Sequence, residues 1–189
     1  FKLIDLNKYS SLTKACRITA YVLKFLNKKL WLKIKDNQDF MNKDNISNLK
    51  NIFEHLEEGP IAAYDMKIAG KYLIKQAQQG FLNNVDDKGF VLELRNLGAK
   101  IDNTGLIRCH GRMKNSDVNI YQKFPIFLPR KEKITELIVL YIHNKVNHFG
   151  VNHTLSEIRQ NYWIPKGRSE VKRILRNCLI CRKYSVYPY

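Results

Sequence analysis

The chain has 189 residues, 44% of them hydrophobic, and its 33 Lys and Arg against 17 Asp and Glu give a formal charge of +16. This length allows one or two domains with a buried core, and the charge favours a polyanionic partner, nucleic acid before membrane. Four cysteines do not make a disulfide framework in a chain this long, which argues against a secreted protein and for a reducing, intracellular compartment. No apolar run approaches the roughly 18 residues of a membrane span, which argues against a membrane-bound protein.

Residues 1–88 are predicted to form a helical connector. Apolar residues recur at helical spacing over residues 11–31, which predicts one long helix. A short second helix is predicted over Ile46–Leu56, because Gly59-Pro60 would end it, and a third over Ile61–Ala77. The simplest interpretation of their apolar faces is that these helices pack against other parts of the protein.

Negative charge is concentrated in residues 36–65, where seven acidic residues stand against Lys43 and Lys50. Such a surface repels polyanions, so this part of the connector is not expected to contact nucleic acid.

Residues 89–130 are predicted to be a small β-containing extension, either a β-hairpin or a three-stranded element. Asn103-Thr104-Gly105 has the composition of a turn. Phe124–Pro129 is predicted to be extended, because a residue that precedes proline is driven out of the helical region. Cys109 and His110 are adjacent with no second pair of ligands nearby, which is typical of structural residues rather than of a metal site.

Residues 131–189 are predicted to form a three-helix domain with helix-turn-helix character, so that the whole chain is mainly α. An apolar stripe over Ile134–Ile142 marks the first helix. The spacing of Thr154-x-x-Glu157 predicts a capping box that opens the second helix, and Trp163-Ile164-Pro165 would end it. Apolar spacing from Val171 onward predicts a third helix with Cys178 on its buried face.

Two pairs of possible ligands, His143-x4-His148 and Cys178-x2-Cys181, are separated by 29 residues, enough chain for two helices and a turn. Two imidazoles and two thiolates can close a tetrahedral shell around one Zn²⁺, and because no position stays open the zinc is predicted to be structural. His153 is a rival for either histidine. A thiol–disulfide pair is the alternative for the cysteines, but such a pair usually starts a helix, whereas this one is predicted to end one.

The segment from Trp163 to Lys183 has seven basic residues against Glu170 alone. Cations aligned on one side of a rigid helix suit contact with a phosphate backbone, and the lack of Asn or Gln on that face predicts little sequence specificity. The alternative is an ordinary solvated face. The predicted nucleic-acid-binding residues are Lys166, Arg168, Lys172, Arg173, Arg176, Arg182 and Lys183.

The order of the motifs points to a family. His143-x4-His148-Phe-Gly-Val, then Tyr162-Trp-Ile-Pro-Lys-Gly-Arg168, then Cys178-x2-Cys181-Arg resembles the zinc-binding N-terminal domain of retroelement integrases. The middle string looks most like the Pao/BEL group of LTR retrotransposons. Gly105–Arg112 and Phe124–Pro129 look like the segment that precedes this domain in Pao polyproteins, although Cys109-His110 replaces an expected small apolar residue and glycine.

The resemblance implies a place in a polyprotein. Arg17–Phe25 resembles the connector that follows an RNase H-like region, and the start at Phe1 rather than methionine indicates a piece of a longer polypeptide. The parent would perform 3′-end processing and strand transfer of element cDNA, and this segment would hold DNA ends and assemble a homo-oligomer. Integrase chemistry belongs to a catalytic core with three carboxylates; no such triad can be assigned here, so the chain is not expected to be an enzyme on its own.

Two other function classes stay open. One is a zinc-stabilised protein–protein interaction module whose charge is incidental, and the other is a host DNA-binding protein derived from such an element. The dependence of DNA affinity on salt separates the first of these from a DNA-binding role. The expected location is the nucleus or a cytoplasmic virus-like particle.

Overall fold

The computed structural model describes residues 3–36, 56, 59–83, 94–111 and 117–185. The described chain is mostly helical with a small four-stranded sheet and a C-terminal helical zinc-binding domain, as predicted. It forms two compact units, Phe1–Leu73 and Ile74–Tyr189, while the predicted boundaries at residues 88 and 130 stay predictions. None of the described helices combines the length and apolar composition needed to cross a bilayer.

The first unit is built on a long helix, α1 (Leu12–Asp36), which follows a short 3₁₀ turn at Leu6–Lys8. Lys24, the one charge inside the most apolar part of this helix, forms an ion pair of 2.7 Å with the buried Asp65. Lys24 also donates hydrogen bonds to the carbonyl oxygens of Gly59 and Pro60. A cation is therefore tolerated there because its ammonium group has three partners. The predicted helix over Ile46–Leu56 lies outside the described residues, apart from Leu56.

The second described long helix, α2 (Ala63–Asn83), continues six residues past the predicted end at Ala77. The added turns carry Gln78, which is 1% exposed. Its amide nitrogen donates to the carbonyl oxygens of Phe127 (2.7 Å) and Ile107 (3.2 Å), and its amide oxygen accepts from the Ile107 N–H (2.9 Å). One buried side chain thus satisfies three backbone groups of two neighbouring strands.

The sheet has the order β1 (Lys100–Ile101), β2 (Ile107–Arg108), β3 (Ile126–Phe127) and β4 (Tyr162–Trp163). The first three strands are antiparallel neighbours, and the β1–β2 turn falls at the predicted Asn103-Thr104-Gly105. The fourth strand was predicted only as the end of a helix; it pairs in parallel with β3. This pairing is long-range, so local sequence carries little sign of it.

The C-terminal part has four described helices after β3. Two lie between β3 and β4, namely α4 (Lys133–Lys145) and α5 (Gly150–Arg159), and two follow β4, namely α6 (Gly167–Leu175) and α7 (Leu179–Ser185). A short α3 (Ile120–Lys123) precedes β3. Helices α4, α5 and α6 pack on one another around fully buried side chains, which include Ile134, Leu137, Ile158 and Val171.

Two predicted details of this part are wrong. Helix α5 begins at Gly150, so Thr154 lies inside it and cannot open it as a capping box. Helix α6 ends at Leu175, so Cys178 lies in the turn between α6 and α7 rather than on the buried face of a helix. In both cases the apolar spacing identified the helix, but the position of its end depended on tertiary contacts that a local pattern does not contain.

Candidate metal centre

The two predicted ligand pairs come together in space. His143 lies in the last turn of α4, His148 follows three residues after that helix, Cys178 lies before α7, and Cys181 lies within it. The ligand atoms of all four residues lie within 4.8 Å of one another. Among the described residues this is the only such group of three or more His, Cys, Asp or Glu side chains.

The distances between ligand atoms fit one tetrahedral Zn²⁺. His143 Nε2 lies 3.1 Å from Cys181 Sγ, and His148 Nδ1 lies 3.4 Å from Cys178 Sγ and 3.8 Å from Cys181 Sγ. A zinc ion about 2.0–2.1 Å from nitrogen and about 2.3 Å from sulfur places such atoms about 3.5 Å apart. The residues present therefore fit a closed two-imidazole, two-thiolate shell, which gives zinc a structural role.

The hydroxyl of Thr154 determines which nitrogen of His143 faces this group. Thr154 Oγ1 donates to the carbonyl oxygen of Gly150 (2.7 Å), so it accepts at 3.0 Å from the Nδ1–H of His143. This places the proton on Nδ1 and leaves the Nε2 lone pair for a metal. Burial, and then the positive charge of His148, lower the pKa of His143, which favours the neutral form that coordinates. Sequence reasoning missed Thr154 because its spacing to Glu157 resembles a cap.

The loop that presents His148 has an unusual backbone. Asn147 and His148 both have positive φ, 51° and 61°, and Gly150 has φ 78°. A side chain in this left-handed region costs about 1 kcal/mol, so two in succession must be compensated. The N–H of His148 donates to the carbonyl oxygen of His143 at 3.0 Å, which returns the chain towards the first ligand. The strained turn thereby brings the second imidazole beside the first, with ring centroids 4.5 Å apart.

The cysteine pair lies at the start of α7, not at the end of a helix as predicted. The helix-dipole argument against redox chemistry therefore does not hold, and the argument for metal comes instead from the two imidazoles. Burial, followed by the hydrogen bond and charge of Cys178, raises the pKa of Cys181. The neutral thiol is thus favoured in the metal-free protein, and coordination must displace a proton.

The other candidate ligands lie elsewhere. His153, the predicted rival, is exposed and lies beside the Phe149 ring, with centroids 5.7 Å apart, outside the ligand group. Cys109 belongs to a buried apolar cluster with Ile107 and Phe127, and burial raises its pKa to about 12. A thiol in such surroundings packs as a small apolar side chain.

All seven predicted nucleic-acid-binding residues are exposed. Arg173 forms an ion pair within the segment: its guanidinium Nη2 lies 2.7 Å from a carboxylate oxygen of Glu170, which is completely buried. Glu170 also accepts from the N–H of Lys131 at 3.0 Å and faces Arg130 at 3.7 Å. The single acidic residue of the segment therefore ties α6 to the residues before α4, a role that composition alone did not reveal.

Comparison with known proteins agrees with this geometry. No curated protein and no solved structure gives a significant match to the chain. Residues 130–186 match the family model described as "Integrase zinc binding domain". This range contains all four ligand residues, Thr154 and Glu170. The C-terminal part of the chain is therefore similar to integrase zinc-binding domains, and it brings His143, His148, Cys178 and Cys181 together as a group suited to hold zinc.

Proposed function

We propose that this chain is the zinc-binding, DNA-binding and multimerisation segment of a retrotransposon integrase of the Pao/BEL group, and that it supports integration of element cDNA. The observation that carries the proposal is the four-residue ligand group inside a segment that matches the integrase zinc-binding family. The net charge of +16 adds support, because polyanions are the natural partners of such a protein. The nucleus or a cytoplasmic virus-like particle is the corresponding location.

The surface proposed to contact DNA is the outer side of α6 with its flanking residues. Val171 and Ile174 are buried on the inner side, while Lys172 and Arg176 are exposed. Lys166 and Arg168 lie at the amino end of the same helix, where the backbone amides also favour a phosphate. The candidate ligands lie in α4, in the loop before α5, in the turn after α6 and in α7, so a bound zinc would hold these cations in one arrangement. In this role zinc organises the surface and performs no chemistry.

The sharpest test compares charge-matched variants of the full chain in their binding to a mixed-sequence DNA duplex. The triple variant Arg168→Gln/Lys172→Gln/Arg176→Gln removes three cations from the α6 surface, and the control Lys8→Gln/Lys14→Gln/Lys67→Gln removes three exposed cations elsewhere. We expect the first variant to reduce the slope of log affinity against log salt by roughly three, and the control to change it little. An equal reduction of the slope in both variants would mean that DNA affinity depends on the net charge of the chain and not on the α6 surface.

Catalysis is not expected from this chain alone. A strand-transfer assay with Mg²⁺ or Mn²⁺ should give no product, because the proposed role is to bind and assemble. Product formation that persists after further purification would contradict this part of the proposal.

A protein–protein module is the second candidate, because several apolar side chains at the zinc centre are exposed. Leu179 and Ile180 lie between the two cysteines and are 77% and 48% exposed, and Tyr184 is 80% exposed. Phe149, directly after His148, is 72% exposed. Sedimentation of wild type and of Leu179→Ser/Tyr184→Ser tests whether these residues join copies of the chain. Self-association that this variant abolishes, together with DNA binding that is insensitive to salt, would favour this function over the first.

A further inference from the structure

We propose that a cleft between the sheet and α5 binds a single, unpaired nucleic-acid strand, at a site separate from the α6 surface. The cleft has a volume of about 1030 Å³ and is lined by residues of β4, α5, α3 and the chain after β2. This volume is at the upper end of the range for ligand pockets, about 300–1,000 Å³, so there is room for more than a small metabolite.

The charges of the cleft favour an anionic ligand. Lys123 and Arg159 line it, and the described lining residues include no carboxylate. Neither cation forms an ion pair with another described residue, in contrast to Arg173 and Arg108, which are held by Glu170 and Asp102. Two cations facing one concave surface without compensating acids attract phosphate groups.

The remaining polar groups suit the edges of bases. Gln122 and Gln160 line the cleft, and a primary amide both donates and accepts hydrogen bonds, as base edges require. Gln160 also donates to Glu157 at 2.7 Å, but this carboxylate is itself paired with Lys145. The α6 surface was predicted to lack Asn and Gln, so this cleft supplies a means of base contact that α6 does not.

A tryptophan at the cleft favours an unpaired strand over a duplex. Trp163 lines the cleft, and its indole nitrogen has no acceptor among the described residues. Stacking on an aromatic side chain needs a free base face, and amide contact with pairing groups needs a free base edge. An unpaired strand offers both together with its phosphates, whereas the bases of a duplex are stacked and paired.

The zinc centre and the cleft share helix α5. Arg159 and Ser156 line the cleft, while Thr154 on the same helix contacts the ligand His143. A metal held by His143 would therefore fix the helix that forms one wall of the cleft, without taking part in binding. This inference rests on the proposed function only for the class of ligand, because the residues involved differ from those of the α6 surface.

The test uses the full zinc-loaded chain carrying Trp31→Phe, which leaves Trp163 as the remaining one of two tryptophans. Unpaired DNA and RNA strands of about 12 nucleotides, and a duplex of the same length, are titrated separately. We expect an unpaired strand to quench the Trp163 fluorescence. Lys123→Gln/Arg159→Gln should weaken binding of the unpaired strand about tenfold and change duplex affinity less than about twofold. Zinc content and circular dichroism confirm that each variant is folded.

Two further variants separate this site from general charge effects and from the α6 surface. Lys71→Gln/Lys100→Gln removes two exposed cations elsewhere and should leave strand binding within about twofold of wild type. The α6 triple variant should weaken duplex binding more than strand binding. If the cleft variant lowers both affinities equally, or if neither DNA nor RNA strands alter Trp163 fluorescence, the cleft proposal is wrong. If the cleft variant behaves as expected and the α6 triple variant has no effect, the cleft proposal stands and the proposed DNA contact of the α6 surface is wrong.

Discussion

The hydroxyl oxygen of Thr154 lies 3.0 Å from Nδ1 of His143, and both side chains are completely buried. Because this hydroxyl already donates to Gly150, it can only accept from the imidazole. The threonine therefore selects the tautomer in which Nε2 faces Cys181. Thr154 is not a candidate metal ligand itself, yet it orients one.

We expect Thr154→Val to lower zinc affinity about 10- to 100-fold, because the imidazole loses the acceptor that holds its orientation. Thr154→Ser keeps the hydroxyl and should remain much closer to wild type. Competition with a chromogenic chelator at fixed pH measures both affinities. Equal affinity for the valine and serine variants would show that the hydrogen bond does not position the ligand.

Removal of the metal is expected to unfold α4, α5 and α6. Structural zinc sites in small domains supply apparent binding free energies of about 10–16 kcal/mol, more than a core of this size provides by itself. Chelation of wild type, or Cys178→Ser, should abolish most of the helical circular dichroism of residues 133–175. His153→Gln is the matched control and should bind zinc as wild type does. Unchanged thermal unfolding of the stripped protein would refute a structural role for the metal.

Gln78→Leu is expected to destabilise the second unit by about 2–4 kcal/mol. The substitution leaves the N–H of Ile107 and the carbonyl oxygens of Ile107 and Phe127 without their side-chain partner in a buried place. Gln79→Leu changes an exposed residue one position along the helix and should stay within about 0.5 kcal/mol of wild type. Urea unfolding of zinc-saturated protein measures both free energies. Similar values for the two variants would contradict the role assigned to Gln78.

The contribution of Glu170 to stability should be constant in the neutral range. Burial alone raises the pKa of this carboxyl, but hydrogen bonds from Arg173 and the Lys131 N–H, together with the charges of Arg173 and Arg130, lower it overall. The folded state therefore favours the ionised form, and its contribution is lost only when the pH falls through the lowered pKa, below the ordinary value of about 4.3.

We accordingly expect Glu170→Gln to destabilise zinc-saturated protein by about 1–3 kcal/mol, with the same difference from pH 8 down to about pH 5. Urea unfolding of both proteins over this range measures the difference. A gap between the two proteins that closes above pH 5 would mean that Glu170 has a raised pKa instead.

The candidate metal ligands were predictable because histidine and cysteine are the residue types that coordinate zinc. Few roles other than coordination bring His143, His148, Cys178 and Cys181 into one chain at those spacings, and the structure unites them. The long helix α1 and the turn at Asn103-Thr104-Gly105 were also predictable, since periodicity and turn composition are local properties.

What the sequence did not predict depends on partners far along the chain. Thr154 matches a capping pattern, and only its distance to His143 gives it another role. In the sequence Glu170 is one acidic residue among seven basic ones. The structure shows that it is buried and contacts Arg173 and the Lys131 N–H. Strand β4 has two residues, too few for a periodic signal, and exists because β3 supplies its hydrogen bonds.

The parallel pairing of β3 with β4 has a practical consequence for dissecting the protein. The N–H groups of Ile126 and Leu128 donate to the carbonyl oxygens of Asn161 and Trp163, at 2.9 and 2.8 Å. A truncation that starts at residue 130 would retain every zinc ligand but discard both donors. In the truncated protein the edge of β4 would be unpaired, and an unpaired strand edge promotes aggregation. Expression of the metal-binding part should therefore begin before Asn119, so that α3 and β3 accompany it.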